Sequence, residues 1–150
     1  IALEVLTQWP GAELATHIVR LLFFAGATFT CSRQVLLASE LETNVIVGTL
    51  AIYMLLGVTW ATLYTIILYF YPQAFHGIVG APGVDDSPKI LYFGFVTLAT
   101  LGYGDISPAL PIAKSLAYLE AVTGTFFLAI VVASLIGGIG RDSDNNSSTN

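Results

Sequence analysis

Charged residues are scarce in this chain. Only 10% of its 150 residues are Asp, Glu, Lys or Arg, against about 25% in an ordinary soluble domain. That is too little charge to cover a water-facing surface. With 55% hydrophobic residues and a mean hydropathy of +0.79, lipid is the natural solvent. Basic residues are the scarcer sign, and the net charge of −5 argues against a nucleic-acid partner, which needs basic patches. Cysteine occurs once, at Cys31, which excludes an intrachain disulfide and a Cys-based metal cluster. In its apolar stretch Cys31 reads as a small buried thiol. No nucleophile–base set and no phosphate-binding loop is visible, so nothing points to an enzyme or an organic cofactor. No internal repeat is visible either.

What the sequence has instead is long uncharged runs. From Thr43 to Val84 there is no Asp, Glu, Lys or Arg. A bilayer core of about 30 Å needs about 20 apolar residues as helix, so residues 44–71 are expected to form a spanning outer helix. Trp60 falls in mid-run, and Tyr64, Tyr69, Phe70 and Tyr71 gather toward its end as an interfacial aromatic belt would. Pro72 marks the stop. A second span is expected over 111–139, interrupted by Lys114 and Glu120. Pro111 suits a first helical turn, where its missing N–H would lack a partner anyway, and Gly137, Gly138 and Gly140 loosen the far end.

A third apolar run, Ala15–Cys31, is shorter and holds His17 and Arg20. It reads either as a spanning helix or as one lying at the interface. Spanning is favoured, because residues 21–31 present no polar face larger than Thr or Ser. Ser32–Glu42 reads as an amphipathic connector, and residues 1–43 form an N-terminal unit. Residues 141–150 are expected to be a disordered polar tail. The chain opens on Ile1 rather than Met, which leads us to expect sequence upstream. Residues 1–30 lack the layout of a cleaved signal peptide.

Between the two strong spans the pattern changes. Residues 72–87 form a loop rich in Gly and Pro that ends in Asp85-Asp86 and Ser87-Pro88. Ser and Pro favour a helix start there, and a helix is expected over 88–99. At 1.5 Å per residue it reaches only about 17 Å, half a bilayer. A half-length apolar helix followed by Gly-rich backbone is a re-entrant pore loop, tolerable at membrane depth only where it is buried in protein or faces water. In Thr100-Leu101-Gly102-Tyr103-Gly104 the glycines let successive carbonyls turn toward one axis. Four copies would stack rings of oxygen able to replace the hydration shell of K⁺.

The run Thr97-Leu98-Ala99-Thr100-Leu101-Gly102-Tyr103-Gly104-Asp105 resembles the signature of the tetrameric potassium channels, prokaryotic type, with pore helix, filter and flanking spans in family order over residues 44–140. The resemblance implies an all-α membrane protein: an N-terminal membrane helix, an outer helix, a re-entrant pore helix, and an inner helix. It also implies a homotetramer, with K⁺ held in the filter (residues 100–104) by Thr100, Leu101, Gly102 and Tyr103. Leu101 stands where the family usually has Val; its carbonyl, not its side chain, would face the ion. Ala99 stands where a second Thr is common and is expected to pack behind the filter.

The family places an acid at the outer mouth, here Asp105, hydrogen-bonded to an aromatic of the pore helix, here Tyr92. A buried Glu found behind the filter in some relatives is replaced here by Val96. Gly124 lies 20 residues after Gly104, the family's spacing for an inner-helix glycine. It reads equally as a hinge or as close packing on the pore helix. Thr125, Leu128, Val132 and Ile136 would line the cavity, their spacing placing them on one helical face.

Glu120 is the least expected residue, since a carboxylate within a span is costly and suggests a function. We expect it to support the filter from behind, bonded to Thr97, Tyr118 or a neighbouring subunit. Lys114 reads as snorkelling toward the outer headgroups. Arg33 and Arg141 favour a cytoplasmic connector and tail, which puts the filter and loop 72–87 outside a cell membrane. Arg20 and Arg33 are too sparse for a voltage sensor. A potassium-uptake transporter carries four pore loops in one chain, so the single loop here favours a ring of four copies.

Overall fold

The computed structural model describes residues 10–36, 43–78 and 85–147. They form α1 (Pro10–Leu36), α2 (Thr43–Phe70), the two-residue strand β1 (Phe75–His76), α3 (Ser87–Leu98), β2 (Ser107–Pro108) and α4 (Pro111–Ser147). The connector residues 37–42, the loop residues 79–84 and the tail residues 148–150 lie outside the described residues. Among the described residues, three helices are long and apolar enough to cross a membrane: α1 over Gly11–Val35, α2 over Val47–Phe70 and α4 over Pro111–Ser134.

In a bilayer a helix must satisfy its polar groups internally. Threonine hydroxyls within α2 donate back one turn, Thr59 to the Leu55 carbonyl at 2.7 Å and Thr65 to the Ala61 carbonyl at 3.0 Å. Such back-bonding lets polar residues sit in a span. Helix α2 ends just before Pro72, which has no N–H to continue it.

The same device operates in α1, where Thr16, Thr28 and Thr30 each donate to a carbonyl one turn back at 2.8 Å. With these threonine hydroxyls satisfied, and with Glu13 in the first turn and Arg33 in the last to complement the helix dipole, α1 runs for 27 residues. The helix is therefore longer than the run 15–31, and it absorbs Ser32–Leu36 of the expected connector. At the other end α4 continues to Ser147, through polar residues whose composition suggests disorder. Once formed, a helix adds residues far more cheaply than it nucleates.

Helix α1 packs on α2, and α3 packs against both α2 and α4. Gly57 of α2 lets the Phe95 ring of α3 approach its backbone, the small-residue contact by which membrane helices close up. The core gathers where the three elements meet, around Tyr64, Ile90, Phe93 and Phe75.

Among the described residues, the regular structure is helical except for one antiparallel bridge. Phe75 of β1 lies opposite Pro108 of β2, and His76 opposite Ser107. The Ala109 N–H adds a bond to the Ala74 carbonyl at 2.8 Å. This bridge ties the segment after residues 100–105 to the start of the loop after α2.

Candidate functional site

Helix α3 has 12 residues and so spans about 18 Å, half of a bilayer. Its start differs from the sequence reading. Asp86, not Ser87, occupies the N-cap, and it is the Asp85 Oδ1 that accepts the Ser87 N–H at 3.0 Å. Bonding to Ser87 holds the Asp85 carboxyl below its usual 3.8. Asp86 is buried and pairs with Lys89 at 3.1 Å. Both loop acids thus serve the start of α3.

The C-terminus of α3 makes the site. The Thr100 N–H donates to the Thr97 carbonyl at 2.9 Å, and the Leu101 N–H to the Val96 carbonyl at 2.9 Å. These crossed bonds are a Schellman motif, which requires a left-handed residue at the first position past the cap, usually Gly. Thr100 fills it with φ +58°, the only positive-φ non-glycine among the described residues.

The sign of φ then alternates. Gly102 has φ +54° and Gly104 has φ +83°, while Leu101 and Tyr103 remain negative. In an ordinary strand successive carbonyls point to opposite sides. Left-handed conformation at every second residue reverses alternate peptides and brings the carbonyls to one side. Among the described residues, the carbonyls of 100–104 accept no backbone hydrogen bond. The segment is exposed, with Leu101 56% and Tyr103 68% accessible. Unpaired carbonyls at membrane depth are tolerable only where protein or water covers them.

Around this segment, Tyr92 and Asp105 share a recess with Gly77, Pro88, Lys89 and Ile106. Desolvation, and then the neighbouring Asp105 carboxylate, raise the Tyr92 phenol above its usual range. Ala99 is partly buried, and the Val96 side chain is packed away from solvent.

At Gly124 of α4 an added Cβ would collide with the Leu98 carbonyl oxygen at the end of α3. Close packing thus leaves no room for a Cβ at this position, and α4 passes through it unbroken. The next residue, Thr125, is exposed, as are Leu128 and Val132, at 49% and 54%. Ile136 lies on the same helix, its side chain outside the described residues.

Glu120 is fully buried, and its partner is neither Thr97 nor Tyr118. The Tyr64 hydroxyl, 56 residues away in sequence, donates to Glu120 Oε2 at 2.5 Å. Glu120 Oε1 has no hydrogen-bond partner. A neighbouring copy cannot supply one by direct contact, since the chain's own atoms already cover the side chain.

Tyr64 is likewise fully buried, so it is not a belt residue. Its ring meets Phe93 of α3 at 5.1 Å and Phe75 of β1 at 5.4 Å, and Phe75 meets Phe93 at 5.2 Å. The three contacts are edge-on, the favoured geometry for aromatic pairs. Sequence reasoning missed this triangle, although one signal was available. Tyr64 stands about two turns before the end of α2, too deep for a headgroup.

A family model described as an ion channel matches residues 43–138. Over 87 residues the chain is 36% identical to two-pore potassium channel 5 of Arabidopsis thaliana, covering 58% of this chain and 19% of that protein. Over 46 residues it is 44% identical to two pore potassium channel c of Oryza sativa subsp. japonica, covering 31% and 10% respectively. The chain thus spans less than a fifth of the length of these curated relatives. No solved structure matches it.

Proposed function

This chain belongs to the ion-channel family, and on that premise we propose that it is one subunit of a channel conducting K⁺ passively across a membrane. The observation that carries this reading is the alternation of φ over Thr100–Gly104, which leaves a file of unpaired carbonyls on an exposed edge. Carbonyls in that arrangement are hard, neutral dipoles suited to replace the water around a dehydrated monovalent cation. The Thr100 hydroxyl adds a ligand at the inner end. The names of the two plant relatives, both potassium channels, support K⁺ as the cargo.

One chain supplies one file of oxygens, and an ion needs ligands from several directions. A closed ring of four copies meets this need with one repeated interface. In that ring Leu101 and Tyr103 pack against neighbours, and Thr125, Leu128, Val132 and Ile136 line the cavity below the filter. The negative dipole end of α3 faces that cavity and favours a cation in mid-membrane. Asp105, supported by Tyr92, stands at the outer mouth, where an acid concentrates cations. The filter and the loop after α2 face outside a cell membrane, and the end of α4 faces the cytoplasm.

The test is ion flux from liposomes holding the purified chain. K⁺ efflux is expected to exceed Na⁺ efflux at least tenfold and to be blocked by Ba²⁺, as carbonyl rings fitted to a dehydrated K⁺ would require. Equal efflux of the two ions refutes the reading.

A further inference from the structure

A carboxylic acid enclosed within a membrane helix is expensive to keep, and the pore reading gives Glu120 no ion to bind. What it holds is Tyr64. That tyrosine in turn touches both flanks of the filter segment. Its ring abuts Phe93, seven residues before Thr100 on the helix that leads into the filter. The same ring abuts Phe75, whose strand partner Pro108 lies three residues after Asp105 on the segment that leads out. One residue of α2 thus contacts the structure at both ends of Thr100–Gly104, and its hydroxyl is fixed by one residue of α4.

We propose that Glu120 and Tyr64 form a positioning pair that couples the inner helix α4 to the geometry of the filter. This rests on the channel reading above and deepens it. The Gly124–Leu98 contact, one turn further along α4, gives the helix a second attachment on the same side, at the entrance to the filter. A shift of α4 on its axis pulls on the Tyr64 hydroxyl and rotates the ring against Phe93 and Phe75. The filter then feels motion of a helix whose exposed half lines the cavity. A role in stability alone would tie α2 to α4 without reaching permeation.

The substitutions separate these roles by chemistry. Tyr64→Phe keeps the ring and removes the donor. Glu120→Leu removes the acceptor. Glu120→Gln keeps an amide oxygen that can accept the same bond. The full chain is reconstituted in planar bilayers with symmetrical K⁺, and single-channel open time and the Rb⁺/K⁺ permeability ratio are recorded.

Tyr64→Phe and Glu120→Leu are each expected to shorten mean open time about tenfold, the order set by one buried hydrogen bond to an acid. Both are also expected to move the Rb⁺/K⁺ ratio. The double variant should be no worse than either single one, the mark of a shared interaction, and Glu120→Gln should stay near wild type. Should Glu120→Leu not assemble, Tyr64→Phe, which removes only the donor, set against Glu120→Gln, which keeps the acceptor, still decides the proposal. The proposal is overturned if Tyr64→Phe leaves both readouts unchanged, or if the effects of the two sites simply add. A wild-type chain that passes Na⁺ as readily as K⁺ overturns the channel reading first, and is recognised before any variant is made.

Discussion

Thr100 sits where the end of α3 asks for glycine. Its left-handed φ of +58° closes the Schellman turn, yet a Cβ in that region costs on the order of 1–2 kcal/mol. Strain kept at one residue points to a use for its side chain, and a hydroxyl at the inner end of a carbonyl file is such a use. Thr100→Gly is therefore expected to leave thermal stability in Na⁺ buffer unchanged or raise it by up to about 1 kcal/mol per chain. The same variant should lose K⁺ over Na⁺ discrimination in liposome flux. A loss of both properties would show that the hydroxyl, and not the turn, supports the fold.

Residue types that carry their own geometry were legible in the sequence, and residues defined by a distant partner were not. Gly102 and Gly104 announced left-handed backbone because other residues strain there. Glu120 announced itself by cost, but its partner lies 56 residues away on another helix. No local pattern encodes that pairing. Tyr64 was drawn into the aromatic belt by its neighbours Tyr69 and Phe70, since composition does not report depth.

At the scale of elements, the decisive contact is between the backbones of α3 and α4. With no side chain at Gly124, α4 can lie directly against the Leu98 carbonyl. Gly124→Ala forces that oxygen and a methyl group apart and must move one helix, at a cost typical of overpacking, about 1–3 kcal/mol. The expected result is a lower melting temperature of the assembled protein together with reduced K⁺ flux. A hinge with open space around it would accept the same alanine with little change in melting.

The 20-residue interval from Gly104 marked the position of Gly124 without deciding its role. Spacing along a chain says where a glycine falls, not which backbone it meets. Similarly, the apolar run understated α1, because Ser32 and Arg33 look like a boundary to a hydropathy window. Inside a helix, hydroxyls bonded one turn back and a cation at the C-terminal end are compatible with the span.

For the whole molecule, exposure of the filter edge is the main argument for assembly. Leu101 and Tyr103 are more than half accessible in one chain, although the segment follows a helix whose own apolar face is buried. Detergent-purified protein is expected to have a protein mass four times the chain's 16.0 kDa, measured by light scattering or native mass spectrometry. A Tyr103→Asp variant should weaken that assembly, by placing a charge where neighbours are meant to pack. A wild-type mass of one or two chains would remove the ring from the functional reading.

The unfinished edge at 100–104 also bears on how such a protein is made safely. A newly inserted chain offers a file of oxygens on one side only, which is no path for an ion. On the proposed ring of copies, leakage of the membrane gradient would be withheld during synthesis, and permeability would appear at one step, when the last copy arrives. The bridge between β1 and β2 would prepare for that step, since it fastens the exit of segment 100–104 within the single chain, before any copy joins the proposed ring.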